Sequence, residues 1–84
     1  MKEPIFTPHA ELMLGERVIE RAWVLETIRK PERVEADPSK AGRKRAFRRV
    51  PEYESRWLRV VFDEETDGVV IVTAFFDRGA GRWA

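Results

Sequence analysis

The sequence predicts an α+β fold: N-terminal helices packed on one face of a three- to four-stranded antiparallel meander sheet. Three observations lead there. A hydroxyl–proline pair, Thr7-Pro8, opens a stretch whose apolar residues recur at helical spacing as far as Lys30. After Pro31 the period becomes that of strands, in segments rich in Val, Ile, Phe and Trp. Asp67-Gly68, a pair favoured in tight hairpin turns, separates the two most strand-like segments. An amphipathic helix must bury its stripe, and the sheet is the surface on offer.

The first helix starts at Pro8 under a Thr7 cap and carries Ala10, Met13 and Leu14 on one side, with a break expected at Gly15. The second runs from about Glu16 to Lys30. On its wheel Val18, Ala22 and Leu25 share one arc, Ile19 and Ile28 flank it, and Glu16, Glu20 and Thr27 lie opposite. Pro31 ends it, because a residue preceding proline is pushed out of the α region. Arg33 to Asp37 reads as a short acidic strand and Ser39 to Gly42 as a loop. Arg43 to Val50, Arg56 to Asp63 and Val69 to Asp77 read as the main strands. Eighty-four residues make one core, so the whole chain, 1–84, is read as a single domain.

A two-residue turn at Asp67-Gly68 pairs Val60 with Phe75 and Arg59 with Phe76. One sheet face then holds Leu58, Val60, Phe62, Ile71, Thr73 and Phe75. As the more uniformly apolar face, it is assigned to the helices. The expected core is Leu58, Val60, Ile71, Phe75, Val18, Ala22 and Leu25. If Arg49 lies opposite Trp57, the other face gathers Arg45, Phe47, Arg49, Trp57, Arg59, Phe76 and Arg78. Cations interleaved with rings suit single-stranded nucleic acid, the charge meeting the backbone and the rings meeting the bases. The same face carries Val61, Val70, Val72 and Ala74, so a cover by Trp83 of the tail or by a second copy of the chain is the competing reading. A register slip of one residue would exchange the faces.

Net charge is +1, yet Lys40, Arg43, Lys44, Arg45, Arg48 and Arg49 place six cations and no anion within ten residues, leaving −5 on the other 74. Such a run is either a solvated edge strand guarded against aggregation or a footprint for phosphates. The chain has no cysteine and one histidine, His9, which excludes disulfides, thiolate sites and His-based metal clusters. No metal and no cofactor is expected. Neither signal-like nor membrane-length apolar segments are present, which makes a cytoplasmic protein the expectation. His9, near the positive end of the first helix, is placed to stay neutral as a general base requires; the bland alternative is a helix-end histidine without a role.

The ordered set of features resembles a family of small bacterial domains of unknown function, DUF4258. The features are His9-Ala10 opening a helix, Lys30-Pro31 closing another, the acidic strand Arg33 to Asp37, the Arg-rich strand, "RWLRVVF" (Arg56 to Phe62) and "VVIVTAFFDR" (Val69 to Arg78). That family looks related to the RelE and BrnT toxins, whose helices cover one sheet face and whose other face cuts RNA. The resemblance implies a metal-independent endoribonuclease in which His9, Arg59 and Arg78 are catalytic. Arg43, Lys44, Arg45, Arg48, Arg49 and Trp57 would bind RNA, and an antitoxin-like protein would be the partner. The rival class is a non-enzymatic protein-interaction module, monomeric or homodimeric, docking through the apolar part of the second face.

Overall fold

The computed structural model describes residues 3–80. Along them run β1 (Ile5–Phe6), α1 (Pro8–Arg17), α2 (Arg21–Arg29), β2 (Arg33–Ala36), β3 (Arg43–Val50), β4 (Arg56–Glu65) and β5 (Gly68–Phe76), with a 3-10 turn at Pro51–Tyr53. Spatial order in the sheet is β1-β5-β4-β3-β2. From β2 to β5 it is the expected antiparallel meander, and β1 adds a parallel edge strand against Val70 and Ile71. The sheet is therefore five-stranded and mixed, not wholly antiparallel. Two residues are too few to show a period, so β1 owes its strand character to its distant partner.

Thr7 joins that edge to the first helix. Its Oγ1 accepts the Ala10 N–H at 3.0 Å and donates to the Val72 carbonyl at 3.3 Å, while its own N–H donates to the Ile71 carbonyl at 3.1 Å. The expected break at Gly15 does not occur. Helix α1 continues to Arg17 and stops at Val18, in the left-handed region (φ 53°), where the Val18 and Ile19 N–H groups both donate to the Leu14 carbonyl. That backbone costs about 1–2 kcal/mol for a β-branched residue. It turns Val18 outward, 76% exposed, and carries Ile19 into the core.

Because the helix breaks there, a wheel drawn continuously from Glu16 is rotated. Helix α2 begins at Arg21 and buries Val24 and Thr27, whose hydroxyl donates to the Trp23 carbonyl at 2.8 Å. Ala22 is exposed and Leu25 only half-buried, which corrects that side of the expected core. The interior is instead Ala10, Leu14, Ile19 and Val24 against Ala46, Val50, Leu58, Val60, Phe62, Ile71 and Ala74.

Register explains the remaining correction. Arg49 lies opposite Trp57, as the faces required. In the next hairpin the two turn residues are Thr66 and Asp67, one position earlier than expected, with Glu65 opposite Gly68. That alone moves the pairing by two and keeps the faces. A bulge then leaves Val72 as an extra residue between the pairs Phe62–Ile71 and Val61–Thr73. Beyond it the faces exchange: Ala74 and Phe76 turn to the helices, and Thr73 and Phe75 turn away. Phe76 meets Tyr53 and Trp23 with ring centroids 4.7 and 6.1 Å apart.

Candidate nucleic-acid interface

The face away from the helices is built by alternation along β3, β4 and β5. Arg43, Arg45, Phe47 and Arg49 project from β3, Trp57, Arg59, Val61 and Asp63 from β4, and Val70, Thr73 and Phe75 from β5. Lys44 and Arg48 fall on the opposite side, across from Phe62 and Leu58. Five of the seven residues expected together on this face are therefore assembled (Arg45, Arg49, Arg59, Phe47 and Trp57); Phe76 is replaced by Phe75, and Arg78 lies beyond the ladder.

Its centre is a row running across the strands. Phe47 and Phe75 flank Arg59 as its register partners, and the Arg59 guanidinium carbon lies 5.8 and 5.0 Å from their ring centroids. Arg17, from the end of α1, extends the row with its guanidinium 5.6 Å from the Phe75 centroid and Nη1 donating to the Ala74 carbonyl at 2.9 Å. A second contact of this kind puts Arg49 5.4 Å from the Trp57 centroid. Phe47 and Val61, on a face no helix covers, are only 2% and 6% exposed. The Arg59 guanidinium beside the Phe47 ring supplies part of that cover.

Carboxylates answer most of the positive charge. Arg43 binds Asp63 through two bonds of 2.8 and 3.1 Å, with Lys40 adding a third at 3.4 Å. Arg45 reaches Asp37 at 3.0 Å and Glu35 at 3.2 Å. Arg49 grips Glu32, whose Oε1 lies 2.8 Å from Nη2. Arg59 donates to Asp77 at 3.1 Å, Lys44 pairs with Glu64, and Arg48 donates to the Lys30 carbonyl at 2.8 Å. Asp37 is held far below the usual carboxylate range, first by the Ser39 hydroxyl and N–H and then by Arg45. Hydrogen bonds from Arg49 lower Glu32, and those from Arg43 lower Asp63, with Arg43 and Arg49 raised in turn. These counterions were not singled out from the sequence. The signal was present, since antiparallel pairing of an acidic strand with a basic one sets Glu35 opposite Arg45.

His9 is exposed at the second position of α1, beside the Thr7 cap that holds the helix to β5. Arg78 is exposed in the turn after β5. Trp83 lies outside the described residues. Among the described residues no group of three or more His, Asp or Glu side chains is arranged to hold a metal ion, and no helix is long and apolar enough to cross a membrane.

Helices on one face of a mixed five-stranded sheet, with a paired-charge and aromatic surface on the other, define a small α+β domain with a layered, one-sided architecture. The model of the family "Domain of unknown function (DUF4258)" matches residues 6–76, from β1 to the end of β5, and the chain belongs to that family. No curated protein and no solved structure matches it.

Proposed function

We propose that the helix-free face binds single-stranded RNA and that the domain is a metal-independent endoribonuclease of the RelE/BrnT toxin type. The row Arg59–Phe75–Arg17 carries this reading, because a half-buried ring between two guanidinium groups at the edge of a strand ladder suits a stacked base and its phosphates. Cleavage would follow attack of a ribose 2′-hydroxyl on the adjacent phosphate, giving a 2′,3′-cyclic phosphate and a free 5′-hydroxyl. No cofactor enters that chemistry. In it His9 takes or returns the proton, and Arg59 and Arg78 stabilise charge on the phosphate. RNA would have to displace carboxylates from Arg45 and Arg49, an exchange favoured at low salt.

Anisotropy of a fluorescent single-stranded RNA, titrated at several salt concentrations, tests the binding; gel analysis of the same RNA tests the cutting. Steeply salt-dependent affinity is expected, with His9→Ala abolishing cleavage and leaving binding nearly unchanged. Wild-type protein that neither binds nor cuts at low salt overturns the reading. The extensive carboxylate pairing favours a second reading, a protein-docking face in a cytoplasmic interaction module or homodimer. Its partner, such as an antitoxin-like protein, would bring its own complementary charges.

A further inference from the structure

Arg29 and Arg78 have neither an ion pair nor a side-chain hydrogen bond among the described residues. Arg29 shares a cavity with Glu3 and Asp67, whose charges oppose its own. Arg78 lines a different cavity, of about 490 Å³, together with Arg56, Trp57, Phe76 and Asp77. The carboxylate there, Asp77, is already committed. Its Oδ1 accepts the Gly79 N–H at 2.8 Å and its Oδ2 accepts Arg59 Nη1 at 3.1 Å. Arg59 balances its charge, and that of Arg78 is left unanswered.

Strand pairing then brings a second cation beside the first. Leu58 lies opposite Phe76, and the Asp77 N–H donates to the Trp57 carbonyl at 2.9 Å. The antiparallel count therefore carries Arg78, just past the end of β5, to the level of Arg56 at the start of β4. Like charges set opposite each other across a ladder repel and destabilise it.

Arg56 has little to offset that repulsion. Its carboxylate neighbour, Glu54 at 3.3 Å, is 77% exposed, and such a pair is worth little in water. Its guanidinium carbon lies 5.1 Å from the Tyr53 centroid. Tyr53 is itself packed against Phe76 and Trp23, with centroids 4.7 and 5.8 Å apart. Stacking of this kind occupies the flat side of a guanidinium, holds it in place and leaves the N–H groups around its edge to donate. Trp57 under Arg49 and Phe76 against Trp23 and Tyr53 serve only as walls.

We infer that this notch is an oxyanion site for a phosphate monoester, held between the guanidinium groups of Arg56 and Arg78. Two cations without a lasting counterion call for a compact ligand with about two negative charges. A monoester carries roughly −1.5 to −2 near neutral pH, and its oxygens match forked N–H donors. A phosphodiester brings a single charge, and an uncharged ligand would leave the repulsion in place. The inference goes beyond the RNA-binding reading and does not depend on it. A free phosphate ester and the phosphorylated end of a strand present the same chemistry.

Calorimetric titration of the full chain at low salt tests it, with inorganic phosphate, ribose 5-phosphate, dimethyl phosphate, and tetra-adenylate with and without a 5′-phosphate. Phosphate and ribose 5-phosphate should bind saturably, and dimethyl phosphate about tenfold more weakly. Arg78→Ala should weaken ribose 5-phosphate about tenfold with no change in melting temperature, and Arg78→Lys should recover part of the loss. Arg29→Ala, which removes an equal charge outside the notch, should leave affinity unchanged. Tetra-adenylate that gains affinity over ribose 5-phosphate only when 5′-phosphorylated marks a strand end as the occupant. Equal affinity of the two phosphorylated ligands marks a free ester; both results sustain the site. It is overturned if neither phosphate nor ribose 5-phosphate binds, if dimethyl phosphate binds as well as they do, or if Arg29→Ala and Arg78→Ala lose the same affinity. Ester binding by a protein that neither binds nor cuts RNA sinks the ribonuclease reading and keeps the site; RNA cleavage without ester binding sinks the site alone.

Discussion

Arg59 and Asp77 meet at 3.1 Å on the open side of the sheet, with the Phe47 and Phe75 rings on either side of the arginine. Both side chains are about four-fifths buried, at 23% and 20% exposure. Among the described residues the Arg59 Nε has no hydrogen-bond partner. This pair holds the β4–β5 end together and sets the corner that presents Arg78.

Removing the arginine should therefore cost stability as well as function. Arg59→Ala leaves Asp77 with one donor fewer and uncovers two rings, for a loss of roughly 1–3 kcal/mol. Urea unfolding of the variant measures it; a change below about 0.5 kcal/mol would show the contact to be incidental.

The bulge predicts an order of core sensitivities. Leu58 is fully buried under the helices and Phe75 is half-buried on the other face. Leu58→Ala should cost about 2–5 kcal/mol, and Phe75→Ala clearly less. Parallel denaturation curves decide the ranking.

Val18 offers a gain. Its side chain is 76% exposed and its φ is 53°, so glycine loses little contact and relieves the left-handed strain. Val18→Gly should raise stability by up to about 1 kcal/mol, visible as a higher melting temperature.

Acid should loosen the β2 side first. Asp37, Glu32 and Asp63 are held below their ordinary values of 3.8, 4.5 and 3.8. A carboxylate lowered in the folded state contributes stability above its unfolded value and loses it as pH falls through the folded one. Melting temperature should thus hold from neutral pH to about 5 and fall below about 4.5, with a shallower fall in Asp37→Asn.

The counterions should also restrain RNA binding. Glu35→Gln removes one carboxylate from Arg45 while Asp37 still holds it, so the fold should persist. RNA affinity should rise about threefold, or ~0.7 kcal/mol, in the anisotropy assay. Unchanged or weaker affinity would place Arg45 outside the binding face.

Much of this architecture is written locally. The Thr7 cap, the stop before Pro31, the bounds of β3 and the faces of β3 and β4 follow from capping, proline geometry and two-residue alternation among near neighbours. Arg45, Phe47, Arg49, Trp57 and Arg59 shared a face on that ground alone. Tertiary structure decided the rest. The bulge at Val72 is met by Thr7, from the far end of the chain, and this one extra residue sends Phe75 and Phe76 to opposite faces. Two-residue β1 exists because β5 offers it an edge, and Val18 breaks the helix so that Ile19 can enter the core. Pairing of Arg43, Arg45, Arg49 and Arg59 with their carboxylates likewise depends on which segments become neighbours, and that is a property of the assembled sheet rather than of any short stretch of sequence.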